Sequence, residues 1–349
     1  MAINIKNREF QIGEEFPKFK AAAVQAASVY LNRDASLEKA CGLIEEAAAN
    51  GAEFILFPEV FLPGNVYWAQ NIPWKEQAKF NVELFKNSVT IPSPTTDKLC
   101  EMAKKHHIFI VMGIHERDNK ALYNTLIYID REGKIVGKHR KFKPTGPEKL
   151  VWSDGDGSTL RVIPTEFGRL GGLICGEHVA ALPGYVLAGM GEQLHVASWV
   201  GSAVADPIIA ELYSRFHSIA YNTFTIWSVG MIDQQVLDKL NGGDTLFIKR
   251  TSAGIVEPGT GRVISNRLPI DVEGIVYGDV DLEACIPHYF YQDATQFTCG
   301  KQFQLFFNDR ECESFNILDD SGGLSGALGT EMPILFDPFT PDNTNQEEQ

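Results

Sequence analysis

Apolar and polar positions in the N-terminal part of the chain follow the order strand, helix, strand. Residues 19–30 are rich in Ala and Val and predict a strand. The next segment has apolar side chains at helical spacing and begins at a cap formed by Asp34 or Ser36. These apolar side chains are Leu37, Cys41, Ile44 and Ala48. Residues 52–57 then predict a short buried strand that ends just before Glu59, which completes a strand–helix–strand unit.

The same alternation continues through the middle of the chain. Residues 94–105 have a helical pattern, and residues 107–114 form a strongly apolar run that predicts a strand. Residues 123–129 and 134–142 predict a hairpin around the polar turn at 130–133.

The second half of the chain begins with further strands and one long helix. Strands are predicted at residues 170–175 and 194–199, and Asp206 and Pro207 are typical of the cap and first turn of a helix. The pattern predicts that this helix buries one apolar stripe, formed by Ile209, Leu212, Phe216 and Ile219. Residues 224–282 then predict strand after strand, separated by Gly, Asp and Asn turns.

Helices that alternate with strands, followed by a run of strands, predict an α/β fold of layered sheets with helices outside. No segment has the composition of a linker, so we expect residues 1–330 to form one domain. Residues 331–349 are polar and contain proline, and we expect this tail to be partly disordered.

Composition and charge narrow the function classes. The 349 residues are 44% apolar and carry a net charge of -14, which argues against a nucleic acid or an anionic membrane as partner. The chain has neither a bilayer-length apolar stretch nor the layout of a signal peptide at its N-terminus, which favours a cytoplasmic protein. The six cysteines contain no C-x-x-C pair, so we expect neither a metal site nor a cofactor.

Three predicted strands end at residues that can carry chemistry, namely Glu59, Lys141 and Cys175. Taken singly, an acid after a strand is usually a solvated loop residue, a lysine in a basic run is usually at the surface, and a lone cysteine is usually a core residue. Ligands collect at the carboxyl ends of strands in α/β folds, so the joint placement favours convergence on one cleft.

A Glu–Lys–Cys set makes chemical sense as a nucleophilic site. A free thiol has a pKa near ~8.5, so Glu59 would take the proton as Cys175 attacks an electrophilic carbon. Lys141 and the backbone N–H of Gly176 would stabilise the negative charge that develops, and one such donor is typically worth about 3 kcal/mol. Lys143 points to the same strand face as Lys141, so spacing alone does not choose between the two lysines.

Three segments resemble the signatures of the nitrilase, or carbon–nitrogen hydrolase, superfamily. They are Phe57-Pro58-Glu59, His139-Arg140-Lys141 and Leu173-Ile174-Cys175-Gly176-Glu177. The resemblance runs from about Ala21 to about Asp281. Residues 139–148, with Trp152 and residues 154–158, look like the nitrilase branch itself.

The resemblance implies a site and a fold. It selects Lys141, because the family lysine follows the arginine, and it matches Glu148 to a second glutamate that positions substrate or water. The implied fold is an α-β-β-α sandwich of two mixed sheets flanked by helices. Family members pair through their outer helices, so a homodimer or a larger spiral homo-oligomer is expected.

Two positions depart from the family pattern. Many nitrilases have tryptophan directly after the nucleophile, where this chain has Gly176, and the lost ring should enlarge or loosen the wall beside the cysteine. Relatives often have glutamate where this chain has Asn222, which affects hydrogen bonding behind the site.

The candidate substrate-binding residues are Tyr67, Gly176, His178 and Trp199. Aromatic side chains in such a pocket favour apolar nitriles, aromatic or arylaliphatic. An ordinary core position is an equally good interpretation of Trp199 and a better one of Trp68.

The implied reaction converts a small-molecule nitrile and two waters into a carboxylic acid and ammonia, through a thioimidate and then a thioester on Cys175. The alternative within the same class is an amidase or N-carbamoyl amide hydrolase that uses the same three residues. A binding protein that has kept the fold and lost catalysis is the alternative from another class, and the intact trio argues against it.

Overall fold

Strands and helices alternate along the computed structural model, which describes residues 16–201, 208–240 and 252–290. The strands are β1 (Lys18–Ala26), β2 (Phe54–Leu56), β3 (Phe109–Asp118), β4 (Ala121–Ile129), β5 (Ile135–Arg140), β6 (Ile163–Thr165), β7 (Gly168–Ile174), β8 (Leu194–Trp199), β9 (Phe224–Gly230), β10 (Gly254–Val256) and β11 (Gly274–Asp281). The helices are α1 (Arg33–Ala49), α2 (Trp68–Asn71), α3 (Trp74–Asn87), α4 (Pro94–His106), α5 (Ala181–Gly189), α6 (Ile208–Tyr221), α7 (Gln234–Lys239) and α8 (Ile286–Tyr289). None of the helices in these ranges is long and apolar enough to cross a membrane.

The strands follow the hydrogen-bonded order β5-β4-β3-β2-β1-β9-β8-β7-β6, with β11 beside β1 and β10 beside β9. The two halves of this order meet only where Gln25 pairs with Val229 and Ala26 pairs with Gly230. Each half contains both parallel and antiparallel pairs. In the first half, β2 lies parallel to β1 and β3, whereas β4 is antiparallel to β3 and β5. In the second half, β8 lies parallel to β7, whereas β6 is antiparallel to β7. The carboxyl ends of β2, β7 and β8 therefore lie near the junction of the two halves.

Alternation along the strands divides the core into layers. Ala21 and Ala23 of β1 belong to the same apolar cluster as Leu170 of β7 and Val196 of β8, so the two half-sheets pack face to face. The intervening residues of β1 face the other way and join a second cluster with α1 and α4. Helices α5 and α6 pack on the outer face of the second half. The predicted α-β-β-α sandwich is confirmed, as are the 123–142 hairpin, the strand at 194–199 and the helix at 94–105.

The predicted cap of α1 was wrong. Asn32 is the cap, and its side chain accepts a hydrogen bond from the backbone N–H of Ala35. Ser36 is buried and exchanges two hydrogen bonds with the backbone of Val29, so its hydroxyl ties the helix to the preceding loop. Asn, Ser and Asp are comparable as caps, and the pattern alone could not place the first turn.

The predicted buried stripe of α6 was wrong for three of its four residues, whereas Ile209 is partly buried against the core. Leu212 and Phe216 are 50% and 47% exposed, and Ile219 is 38% exposed. The inner face of α6 instead consists of small and polar side chains, namely Ala210, Ser214, His217 and Ser218. The reason is that α6 covers a buried polar cluster, so Leu212, Phe216 and Ile219 lie on the outer face.

Other boundaries moved less. The first strand ends at Ala26, four residues before the predicted end. Helix α7 interrupts the run predicted as strands at residues 224–282. The proposed helix start at Asp206 and Pro207, and the tail at 331–349, lie outside the described residues.

Candidate active site

Glu59 is delivered by the loop that follows β2. The backbone N–H of Phe57 donates to Val111 on β3, and the hydroxyl of Ser198 donates to the carbonyl of Phe57. Gly113 of β3 allows this loop to approach, because a Cβ there would lie 2.2 Å from the carbonyl oxygen of Pro58. The loop therefore holds the side chain of Glu59 against the end of the sheet, where it is buried.

Lys141 directly follows β5 and turns inward. Its backbone N–H donates to the carbonyl of Asn124 on β4, and its carbonyl accepts from Gly155. The side chain of Lys141 is fully buried, whereas that of Lys143 is exposed and pairs with Asp154. Burial therefore separates the two lysines that spacing could not separate.

Cys175 follows β7 and begins the short 3₁₀ turn Cys175–Val179. Its φ of 49° lies in the left-handed region, which is unusual for a residue with a side chain. The carboxylate of Glu177 ties this turn down, accepting from the backbone N–H groups of Ile174 and Phe142 at 2.7 Å each and from His139 at 2.9 Å. Glu177 thus joins the cysteine turn to the segment that carries Lys141.

The side chains from these elements form one buried ionic group. The Nζ of Lys141 lies 2.8 Å from Oε1 of Glu59 and 3.0 Å from Oε2 of Glu148. Asn124, which the sequence reasoning missed, donates from Nδ2 to Oε1 of Glu59 at 2.6 Å. Oε2 of Glu59 is buried and receives none of these N–H groups, so it is the oxygen available to the thiol of Cys175.

Burial and charge set the protonation of this group. Burial raises the pKa of Glu59; the ammonium of Lys141 opposes the rise and the charge of Glu148 adds to it. Burial lowers the pKa of Lys141, but the charges of Glu59 and Glu148 outweigh it and hold that pKa well above its usual range. Burial, followed by the charge of Glu59, raises the pKa of Cys175. The thiol is therefore protonated at rest, and its proton has a carboxylate to move to.

The four candidate pocket residues fall into two sets. Tyr67 lies with the carboxylates, since burial and then the charge of Glu59 raise its pKa, and its hydroxyl donates to the carbonyl of Gly201. Gly176, His178 and Trp199 lie with Cys175: His178 contacts the Cys175 backbone and stacks on Trp199 with ring centroids 5.0 Å apart. Contact of any of the four with substrate stays a prediction.

The two family departures have local consequences. A Cβ at position 176 would lie 2.9 Å from the Thr145 hydroxyl, so Gly176 lets the two segments approach closely. Asn222 is buried and donates to the carbonyl of His288 at 3.5 Å, which links α6 to the α8 region.

One buried group among the described residues has donor atoms close enough to share a metal ion. It consists of Glu192, His195 and His217, whose donor atoms lie within 4.8 Å of one another. Each oxygen of Glu192 already lies within hydrogen-bond distance of one imidazole, at 2.7 Å and 2.9 Å. These are hydrogen-bond lengths, so we assign the group to hydrogen bonding.

Comparisons with known proteins show the family to which the chain belongs. Residues 20–288 match the family model described as carbon-nitrogen hydrolase. The chain is 38% identical to a nitrilase of Bacillus sp. (strain OxB-1), over 80% of this chain and 84% of that protein. It is also 38% identical to an aliphatic nitrilase of Rhodococcus rhodochrous, over 76% of each chain. Among solved structures, Saccharomyces cerevisiae Nit3 matches with a TM-score of 0.65 at 21% identity, over 82% of this chain and 97% of that one.

Proposed function

Since this chain belongs to the carbon–nitrogen hydrolase family, in its nitrilase branch, we propose that it hydrolyses organic nitriles to carboxylic acids and ammonia, with Cys175 as the nucleophile. The observation that carries the proposal is the closed group of Glu59, Lys141 and Glu148 beside the Cys175 thiol. This group supplies a base and a fixed positive charge at a cysteine that is held in a constrained turn.

In the proposed first step, the sulfur of Cys175 bonds to the nitrile carbon as one π bond of the C≡N group breaks. The thiol proton passes to Oε2 of Glu59 and from there to the nitrile nitrogen, which gives a neutral thioimidate. Lys141 is held cationic by two carboxylates and stabilises the negative charge that develops on nitrogen. The N–H of Gly176 is the second candidate donor.

The remaining steps consume two waters. The first water adds to the thioimidate carbon, and protonated nitrogen leaves as ammonia, so that a thioester remains. The second water adds to the thioester, and the C–S bond breaks to release the acid and restore the thiol. Glu148 lies 3.0 Å from Lys141 and is the carboxylate that we assign to positioning these waters.

We propose an apolar substrate, aromatic or arylaliphatic. Support comes from aromatic side chains beside the reacting groups. Tyr67 is buried near the charge of Glu59, and Trp199 stacks on His178, which contacts the Cys175 backbone. Such side chains favour an apolar ring as ligand.

We also propose that the protein is a single domain over residues 1–330 and that it lies in the cytoplasm.

We propose further that the protein forms a homodimer or a larger spiral homo-oligomer. Support for pairing comes from the outer surface of the second half-sheet. Leu182 of α5 is 59% exposed and lies on the same side of the sheet as the exposed apolar face of α6. An apolar surface of this kind is typical of a protein–protein interface.

The test is ammonia release from a panel of aliphatic, aromatic and arylaliphatic nitriles by the native protein and by Cys175→Ala. Cys41→Ala is the matched control, because Cys41 is a partly buried thiol on α1. We expect release by the native protein and by the control, and none by Cys175→Ala. Faster release from amides or carbamoyl compounds would replace the proposal with the amidase alternative, and no release from any compound would favour a non-catalytic member of the family.

A further inference from the structure

A second buried polar chain begins at the backbone of the nucleophile. Nδ1 of His178 lies 2.9 Å from the carbonyl oxygen of Cys175, and its Nε2 lies 2.9 Å from Nε2 of His195. Nδ1 of His195 lies 2.7 Å from Oε1 of Glu192, and Oε2 of Glu192 lies 2.9 Å from Nε2 of His217. None of these four side chains takes part in the steps of the proposed reaction.

Donor and acceptor capacity fixes the protons along this chain. The carbonyl of Cys175 can only accept, so Nδ1 of His178 must carry a proton. Nε2 of a neutral His178 then accepts from Nε2–H of His195. An ionised Glu192 can only accept, so both His195 and His217 donate to it. Both nitrogens of His195 are therefore occupied, one by His178 and one by Glu192.

The electrostatics of the chain agree with this assignment. Burial, with the neighbouring histidines His195 and His217, holds the pKa of His178 well below its usual range. Burial likewise lowers the pKa of His217 to about 4. The pKa of Glu192 is lowered to about 2, because His195 and His217 outweigh the opposing effect of burial. At neutral pH, His178 and His217 are thus neutral and Glu192 is ionised.

The contact on the Cys175 carbonyl has a consequence for the adjacent amide. The carbonyl of Cys175 and the N–H of Gly176 belong to one planar peptide unit, and in a trans peptide they point in opposite directions. A donor that fixes the carbonyl therefore fixes the direction of the N–H. The φ of 49° at Cys175 is a strained conformation for a residue with a side chain. A hydrogen bond from the His178 side chain to this carbonyl therefore helps to keep the peptide in place.

Packing keeps the chain in one arrangement. The rings of His195 and His217 stack with centroids 3.5 Å apart, and Trp199 stacks on His178. Gly171 on β7 makes room for the acid, because a Cβ there would lie 1.9 Å from Oε1 of Glu192. His178 is 5% exposed and both its nitrogens already have protein partners.

We propose that His178 is a positioning residue, whose Nδ1–H holds the Cys175 carbonyl and so aims the Gly176 N–H at the negative charge that develops on the substrate. The buried His195–Glu192–His217 chain keeps His178 in the tautomer that this contact needs. The inference rests on the proposed function, because it assigns the oxyanion donor of that same site. It replaces substrate contact as the role of His178.

The first test compares His178→Leu with His178→Asn. The side-chain amide of asparagine can place an N–H where Nδ1–H of histidine lies, whereas leucine has no donor. We expect kcat to fall about 100-fold in the leucine variant, as when an oxyanion donor is lost, and to recover to within about fivefold in the asparagine variant. We expect KM to change little in either. Raised KM with unchanged kcat, or equal loss of kcat in both variants, would overturn the proposal.

The second test does not depend on hydrolysis. Benzaldehyde adds to a thiol so that sulfur bonds to the carbonyl carbon and the thiol proton passes to the oxygen, which then occupies the oxyanion position. Iodoacetamide alkylates the same thiol at a CH₂ group and needs no oxyanion donor. We expect benzaldehyde to protect Cys175 from alkylation about tenfold less well in His178→Leu than in the native protein and His178→Asn, with similar alkylation rates without aldehyde.

The two tests separate the two proposals. If the native protein hydrolyses neither nitriles nor amides, the proposed function fails, while aldehyde protection still tests the role of His178. Equal protection in all three proteins would overturn that role. Stoichiometric metal in the purified protein, lost on Glu192→Ala substitution, would also overturn it, because the three donor atoms would then hold an ion and not the proton arrangement above.

Discussion

Two buried ionic groups act on Cys175 and are built in opposite ways. One lies beside its side chain, and the other reaches its backbone through His178. Beside the thiol, one ammonium, Lys141, lies between two carboxylates, Glu59 and Glu148. Behind the backbone, one carboxylate, Glu192, lies between two imidazoles, His195 and His217. The first group thus has two carboxylates for one ammonium, whereas the second has two imidazoles for one carboxylate.

This difference matches what each group has to do. Burial raises the pKa values of Glu59 and Cys175, and the neighbouring carboxylate charges add to both rises, so in the proposed reaction a proton can move between the two. The second group is linked to His178 by hydrogen bonds and packed by stacked rings, so it can hold a backbone in place. The two groups are equally buried, so the difference between them lies in how their charges are arranged.

Glu59→Gln breaks the first group at the proton acceptor, and we expect the largest effect on rate. Glutamine can still accept from Lys141 and Asn124, so the fold should survive. We expect kcat to fall by about 10³-fold or more, because an uncharged amide cannot take the thiol proton. Steady-state ammonia release measures this. A variant that keeps a tenth of native kcat would show that the base lies elsewhere.

Lys141→Met breaks the same group at its cation, with Lys143→Met as the matched control. Removing Lys141 leaves two carboxylates buried together, so we expect the free energy of unfolding to fall by about 3–5 kcal/mol. Lys143 pairs with Asp154 at the surface, and its removal should cost no more than about 0.5 kcal/mol. Urea unfolding separates the two. Equal effects would contradict the different burial of the two lysines.

Glu192→Gln removes the charge of the carboxylate in the second group. We expect the free energy of unfolding to fall by about 2 kcal/mol, because two hydrogen bonds to a charged group are weakened. An amide has one acceptor oxygen, so it cannot accept from His195 and His217 through separate oxygens as Glu192 does. We expect kcat to fall by roughly tenfold with KM nearly unchanged. A raised KM with native kcat would instead indicate that the group shapes the substrate pocket.

Glu148→Gln reduces the excess charge of the first group without removing its base or its cation. The charge of Glu148 raises the pKa values of both Glu59 and Cys175, so its loss lowers both. Because Glu59 must be ionised to act, we expect the acid limb of kcat/KM to move to lower pH. The pH profile, compared with that of the native protein, measures the shift. A limb that moves to higher pH would contradict the assigned charges.

Acid should weaken the second group gradually, through His217. Its pKa is about 4 in the folded protein and near 6.5 when unfolded, so the unfolded chain takes up the proton first. The free energy of unfolding should therefore fall between about pH 6.5 and 4, by about 1 kcal/mol per pH unit. His217→Gln keeps a donor to Glu192 and cannot titrate, so its slope should be flatter. Unchanged slopes would mean that other groups set the acid sensitivity.

The sequence allowed one group to be predicted and not the other. Glu59, Lys141 and Cys175 follow strands, and the family resemblance added Glu148 and chose between the lysines. Asn124 lies within a strand pattern and carries no signal that its side chain reaches Glu59. His195 and His217 lie in separate apolar segments, and only the packing of α6 on β8 brings their rings together.

The error on α6 has the same origin. A hydrophobic stripe predicts the buried face of a helix when the surface below it is apolar. Here the surface below includes the imidazole of His195 and the carboxylate of Glu192, so His217 and small residues face inward. Sequence periodicity describes which residues share a face, and only the fold decides which face is covered.

Helix α6 therefore has two different sides, with His217 inside and Leu212 and Phe216 outside. If a second copy of the chain covers the outer side, as we propose, the fraction of assembled protein depends on its concentration, and so does the activity. Dilution would uncover α6, and a loosened α6 would weaken the contact between His217 and Glu192. The contact of His178 with the Cys175 carbonyl would then be weakened through Glu192 and His195. Specific activity would then depend on protein concentration, and an assay run at very low enzyme concentration would understate the turnover of the assembled protein.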